Sequence, residues 1–223
     1  MKTTLILGSL LIAANANADF IGLTAEAGLY SPNADTWAAD SGSTVSNNNM
    51  DADSGVYYGI ALEHPIPLIP NARIQGTSLE TDGTNDGAAT EIDLSHTDFT
   101  AYYELLDGLL WVSLDAGVTF RQYDGTITIS GTNTDLSETV PMFYAAPAIS
   151  IPGTGLTLVG EFKFGTFDDK DVTDTTLKVK WESPFLVGIE LGYRQHEIDF
   201  EGVSGKDVYS DNSGVFFGVN FDI

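Results

Sequence analysis

The 223-residue sequence has no cysteine, and only 9 Lys and Arg stand against 32 Asp and Glu. Without cysteine there is neither a disulfide framework nor thiolate chemistry. At a formal net charge of −23 the chain repels nucleic acid and anionic surfaces, so neither is expected as a partner. No stretch after the N-terminal segment approaches the 18 or so consecutive apolar residues of a spanning helix. Nucleophile-elbow, zinc-protease, P-loop and dinucleotide-binding signatures are missing too, so no catalytic residue, enzyme activity, cofactor or dedicated metal site is expected.

What is present begins at the ends. Met1 to Ala18 carries one basic residue, Lys2, an apolar run from Leu5 to Ala14, and Ala16-Asn17-Ala18 as a small-x-small cleavage site. It is expected to be a secretory signal cleaved after Ala18, leaving Asp19 first in a single mature domain, 19–223. Loss of Lys2 takes the net charge from −23 to −24. At the other end, Val215, Phe217, Val219, Phe221 and Ile223 alternate with Phe216, Gly218, Asn220 and Asp222. An apolar residue at every second position up to the last residue, in an exported chain, is the closing strand of an outer-membrane β-barrel.

The same period of two recurs along the chain and predicts ten strands, over 20–30, 54–64, 72–81, 92–106, 109–129, 138–151, 155–167, 174–184, 186–200 and 213–223. Eight would suffice if the weak third strand and the sixth, which contains Pro141 and Pro147, do not both span. Those prolines remove ladder donors and predict bulges or early termination. Around Gln195 to Ile198 the apolar phase shifts by one, which predicts a bulge. The connections alternate between long (31–53, 82–91, 130–137, 201–212, with 168–173 moderate) and short (65–71, 107–108, 152–154, 184–186). That is the pattern of long outside loops and tight periplasmic turns, and the acidic residues of the long set suggest solvated loops.

A soluble β-sandwich or barrel also alternates, but its apolar face points inward. Here the apolar face carries Tyr58, Phe99, Tyr103, Phe120, Phe143, Phe162, Phe164, Trp181, Tyr193, Phe217 and Phe221, several near strand ends where an interfacial girdle belongs. The expected fold is therefore a single all-β, closed antiparallel transmembrane barrel.

Of the eight Lys and Arg after Ala18, six share the opposite parity: Arg73, Arg121, Lys163, Lys178, Lys180 and Arg194. Glu26, Glu63, Asp98, Glu104, Asp115, Glu161, Glu182 and Glu190 share it too. Facing inward, these fourteen charges would pair across a narrow lumen that penalises any left alone. The expectation is a plugged lumen and a structural or surface-interaction role, because ten strands enclose little more than a packed interior. A narrow channel for small solutes or ions is the alternative. A third reading rests on His96 and His196 near strand ends with Asp98 and Asp199, an arrangement that resembles outer-membrane aspartyl-type proteases, which are considerably longer. The cluster Asp168-Asp169-Lys170-Asp171 with Asp174 lacks the glycine and closing glutamate of a calcium loop.

The runs Ala61 to Asn71 (ALEHPIPLIPN), Asp93 to Asp98 (DLSHTD) with Tyr102 to Asp107 (YYELLD), and Glu138 to Met142 (ETVPM) followed by Tyr144-Ala145, with Gly192-Tyr193-Arg194, resemble a family of small gammaproteobacterial outer-membrane β-barrel proteins. The chain departs from such barrels in ending on Ile223 rather than an aromatic residue. The family has no assigned activity, so the resemblance implies fold and location only. Partners expected on this basis are outer-membrane lipid and lipopolysaccharide, and the barrel-assembly machinery through Ser213 to Ile223, with the barrel itself a monomer.

Overall fold

A computed structural model describes residues 21–66 and 68–222. The expected signal, its cleavage point at Asp19 and the terminal Ile223 lie outside the described residues. The rest is strand and turn. The strands are β1 (Gly22–Asp40), β2 (Asn48–Ala52), β3 (Gly55–Glu63), β4 (Asn71–Thr77), β5 (Glu80–Asn85), β6 (Ala88–Asp93), β7 (His96–Leu109), β8 (Val112–Ile129), β9 (Thr132–Ile151), β10 (Leu156–Thr166), β11 (Lys170–Glu182), β12 (Val187–Val203) and β13 (Lys206–Asp222).

Ten of these close a ring in the order β1, β3, β4, β7, β8, β9, β10, β11, β12, β13, and β13 pairs back to β1. Every ladder is antiparallel, as hairpin connectivity demands. Strands β2, β5 and β6 prolong β3, β4 and β7 at the end away from the termini, after short breaks at 53–54, 78–79 and 94–95. The count is ten, not eight.

Along each strand the two faces keep their geometry and exchange their chemistry. Near the termini the outward positions are apolar and exposed: Val187, Ile189, Leu191 and Tyr193 on β12, and Val215, Phe217, Val219 and Phe221 on β13. All eleven aromatics expected on the apolar face are exposed there. Further along β12 the outward positions become Gln195, Glu197 and Asp199, while the inward ones become His196, Ile198 and Phe200, all fully buried. On β8, Val118 and Phe120 outward give way to Gln122 and Asp124, and Tyr123 and Ile127 are buried inside. The exposed apolar belt spans roughly residues 21–29, 56–62, 72–76, 99–105, 112–120, 143–151, 156–164, 177–181, 187–193 and 215–221; beyond it the surface is polar and the interior apolar. A barrel wall in lipid needs the first arrangement and one in water the second.

Beyond the belt the ring opens into two facing sheets. One contains β2, β5, β6 and the far halves of β8 and β9, and the other the far halves of β11, β12, β13 and β1. Among the described residues no ladder joins the far half of β1 to β2, or the far half of β9 to β11. Met50, Ile92, Ile127 and Leu136 from the first sheet and Ile198, Phe200 and Val208 from the second pack into a single core.

Several sequence expectations change accordingly. The stretches 31–53, 82–91, 130–137, 168–173 and 201–212 are mostly strand, joined by two-residue turns at Asp86-Gly87, Ser130-Gly131, Asp168-Asp169 and Ser204-Gly205; only 41–47 is a longer loop. Both residues of each turn have positive φ, the type I′ geometry that Asp-Gly and Ser-Gly suit. Their acidic residues lie on strand faces such as those of Asp35, Asp82 and Asp171. The turn expected at 107–108 sits instead at Leu110-Trp111, with strand continuing through 107–108.

No bulge occurs at 195–198, where β12 keeps register with both neighbours; its register shifts only between Phe200 and Val203. The apparent phase shift was the exchange of faces. Pro141 and Pro147 cause neither bulge nor termination, since β9 runs 20 residues in constant register with β8. The missing donor shows only as a gap in the β9–β10 ladder, where Gly160 and Glu161 lack pairing.

Candidate functional site: the filled lumen

The belt's inward positions bring ten charges into one chain of contacts in which acid and base alternate. Glu190 Oε2 lies 2.9 Å from Lys178 Nζ, which is 2.9 Å from Glu26 Oε2. Glu26 Oε1 accepts from Arg73, whose Nη1 is 2.7 Å from Glu161 Oε2. Lys163 Nζ bridges Glu161 and Asp98 at 2.9 and 2.8 Å. Arg121 then joins Asp98 to Asp174, each at 2.6 Å, and Arg194 reaches Asp174 at 2.6 Å. Five acids and five bases cancel, and they come from seven of the ten ring strands. In a low-dielectric interior such mutual neutralisation is what makes the charges tolerable.

Period two explains the placement: each of the ten sits on the parity opposite the lipid-facing residues of its own strand. Tyrosines fill the space between. Tyr57 donates to Glu190 Oε1 at 2.6 Å. Its ring occupies room that Gly28 and Gly218 leave, for a Cβ at Gly28 would lie 2.5 Å from the ring and one at Gly218 2.1 Å from the hydroxyl. Tyr30 packs above it, with the Arg194 guanidinium 5.7 Å from its ring centroid.

Just beyond the belt, His96 and His196 stack with centroids 5.1 Å apart between the ion chain and the apolar core. His96 donates from Nδ1 to the Leu94 carbonyl at 2.9 Å and accepts at Nε2 from Arg194 at 3.2 Å, while His196 Nε2 lies 3.0 Å from the Tyr123 hydroxyl. Burial first, and the Arg121 charge second, lower both imidazoles, His196 to about 3, so both are neutral at ordinary pH. Asp199, expected beside His196, is exposed on the outer surface.

His96, His196 and Asp174 offer ligand atoms within 4.8 Å of one another. The donor set would suit a transition metal, but its surroundings do not. Arg194 already bridges His96 Nε2 and Asp174 Oδ2, and Arg121 holds the same carboxylate. A divalent ion would add two positive charges beside two guanidiniums, so the group fits as the place of an arginine rather than of a metal.

Nine of the fourteen expected lumen residues lie in the ten-membered chain: Glu26, Arg73, Asp98, Arg121, Glu161, Lys163, Lys178, Glu190 and Arg194. The other five cluster toward the termini. Lys180 pairs with Glu182 at 3.2 Å, Tyr102 donates to Glu63 at 2.9 Å, and Asn71 donates to the exposed Glu104 at 3.3 Å. Asp115 lines a chamber of about 300 Å³ with Ser113, Tyr144, Thr157 and Lys180. The tenth member, Asp174, belonged in the sequence to the acidic run 168–174; its shared parity with Lys178 and Lys180 was the signal that separates it. Asp168 and Asp169 form the two-residue turn between β10 and β11, flanked by the Phe167–Lys170 backbone pair.

No protein-family model matches the chain, and no curated protein does. Solved structures with a similar chain path include the translocator domain of the autotransporter NalP from Neisseria meningitidis, at 10% identity over 93% of this chain and 90% of that one, TM-score 0.46. The outer membrane protein OprG from Pseudomonas aeruginosa matches at 9% identity over 93% and 98%, TM-score 0.42. The β domain of the Bordetella autotransporter BrkA matches at 13% over 92% and 99%, TM-score 0.43. At such identities and TM-scores these likenesses carry nothing about what this chain does.

Proposed function

We propose that this chain is an outer-membrane β-barrel with a sealed lumen, serving a structural or surface-interaction role. The carrying observation is the unbroken alternation of ten lumen charges, roofed by the apolar core of the far sheets. A permeating ion would have to part buried ion pairs that cost several kcal/mol to orphan and then cross a dry core. The exposed apolar belt supports membrane residence, and an even strand number that brings both described chain ends to one rim supports assigning that rim to the periplasm. Export through the residue 1–18 signal, with Asp19 first, completes this reading.

The surface presented outside is strongly acidic. Asp171, Asp199, Tyr209 and Trp37 form one row across β11, β12, β13 and β1, with the two rings stacked 6.2 Å apart. Planar-bilayer recording of the refolded protein tests the sealed lumen. No steady conductance is expected. Stable unitary conductance would overturn the reading in favour of a narrow channel.

A further inference from the structure

Three of the four turns at the terminal end have the wrong chemistry for turns in water; the fourth, Pro152 to Gly155, is an ordinary Gly-rich turn. Ile66, Leu68 and Ile69 after β3, Leu109 at the end of β7 with Leu110 and Trp111 after it, and Phe185 and Leu186 after β11 are all more than half exposed, Leu68 at 90% and Phe185 at 83%. Four of them, Leu68, Leu110, Trp111 and Leu186, hold positive φ between 54° and 75°, a region bulky side chains avoid. The far-end turns use Asp, Ser and Gly for the same geometry. Apolar bulk has been kept at strained, exposed positions, which points to a medium that rewards it.

The belt says which medium. On β9 and β10 eight residue steps of about 3.3 Å at a strand tilt of about 40° give an apolar wall of about 20 Å, and from Val187 to Tyr193 on β12 six steps give about 15 Å, both short of the roughly 25 Å apolar band of such barrels. Counting Phe185 and Leu186 lengthens the β12 wall to about 20 Å before side-chain reach. Leu105, Leu106, Leu109, Leu110 and Trp111 are all exposed, so exposed apolar surface is found both in the belt of β7 and in the turn beside it. No Lys or Arg lies in 64–71, 105–112, 150–156 or 183–187.

We infer that these three turns are set into the inner-leaflet lipid, which covers Leu68, Leu110, Trp111, Phe185 and Leu186, so that the barrel is anchored by its turns as well as by its wall. This rests on the membrane reading above. The occupant is lipid rather than a periplasmic protein, because the surface continues the lipid-facing belt and completes its height.

The three tryptophans sit at three heights: Trp37 on the far sheets, Trp181 in the belt and Trp111 in a turn. Three variants, each keeping one Trp and carrying Phe at the other two, are refolded into phosphatidylcholine vesicles with brominated acyl chains. Trp111 should be quenched at least half as strongly as Trp181, with blue-shifted emission, and Trp37 little. Quenching of Trp181 with Trp111 no more affected than Trp37 would overturn the inference while leaving the membrane reading intact, and would turn attention to a protein partner. Failure to quench Trp181 would overturn both. A second variant, Leu110→Asn with Trp111→Gly, supplies the ideal type I′ pair. Set in lipid it should lower the folded yield in vesicles several-fold, and a yield equal to or above wild type would refute the anchor.

Discussion

Arg121 and Asp98 face each other directly across the β7–β8 ladder and meet in a two-pronged contact, Nε to Oδ1 at 2.6 Å and Nη2 to Oδ2 at 2.7 Å. Both are essentially fully buried. The pair is the hinge of the lumen chain, since Lys163 reaches it from β10 and Asp174 from β11. Removing one partner leaves a buried charge facing too few opposites, and such losses run to about 3–5 kcal/mol. Asp98→Asn and Arg121→Met should therefore each lower the urea midpoint of the barrel in vesicles substantially. The double variant should lose much less than the sum. Strict additivity would show that the two do not act as a pair.

The far half of β12 makes a sharper test of where the core lies. Phe200 is fully buried between the facing sheets, and its neighbour Asp199 is exposed. Phe200→Ala should cost about 3–5 kcal/mol through lost burial and the cavity left behind. Asp199→Ala should stay within about 0.5 kcal/mol. Comparable losses for the two, measured by thermal unfolding, would place the core elsewhere.

How far the sequence disclosed this is clear from the same strand. Val187 to Tyr193 announced a lipid-facing parity, and Gly188, Glu190 and Arg194 a lumen one, because the medium on each side imposes its polarity at every second residue. Past Tyr193 water replaces lipid outside and apolar packing replaces ion pairs inside. Ile198 and Phe200 then look like a strand that slipped, although its register never changes. A period-two pattern reports which medium a face meets, not which way it points, so the far strands passed for acidic loops. Which lumen charges touch depends on ring closure that brings β1, β4, β7, β8, β10, β11 and β12 together, and no local pattern encodes that. Asp174 was hidden for a related reason, since an acidic run around a turn masks the one member that points inward.

Lipid and lumen faces can be separated by one substitution on each. Leu191 is 60% exposed in the belt, and Arg at such a position costs roughly 2–4 kcal/mol in membrane barrels. Thr157 instead lines the terminal-end chamber, which has room for a longer side chain and acidic neighbours such as Asp115 and Glu182. Leu191→Arg should cut the heat-modifiable folded fraction on gels sharply, whereas Thr157→Arg should leave it near wild type. The reverse order would invert the assignment of faces.

Acid should loosen the outer surface at Asp207. This exposed carboxylate accepts the backbone N–H of Gly42 at 2.9 Å and of Gly202 at 2.8 Å, and those two bonds lower its pKa below the usual aspartate value. A carboxylate depressed in the folded state adds stability that is complete above its unfolded pKa, near 3.9, and is lost as pH falls through the folded value. The loop 41–47 and the turn at Ser204-Gly205 are thus tied together at neutral pH and should part below about pH 4. Amide exchange at Gly42 and Gly202, corrected for the intrinsic pH dependence, should lose protection in that window, and Asp207→Asn should show weakened protection already at pH 7. Protection at pH 7 that is the same in Asp207→Asn as in wild type would mean that the carboxylate does not hold these strand ends together.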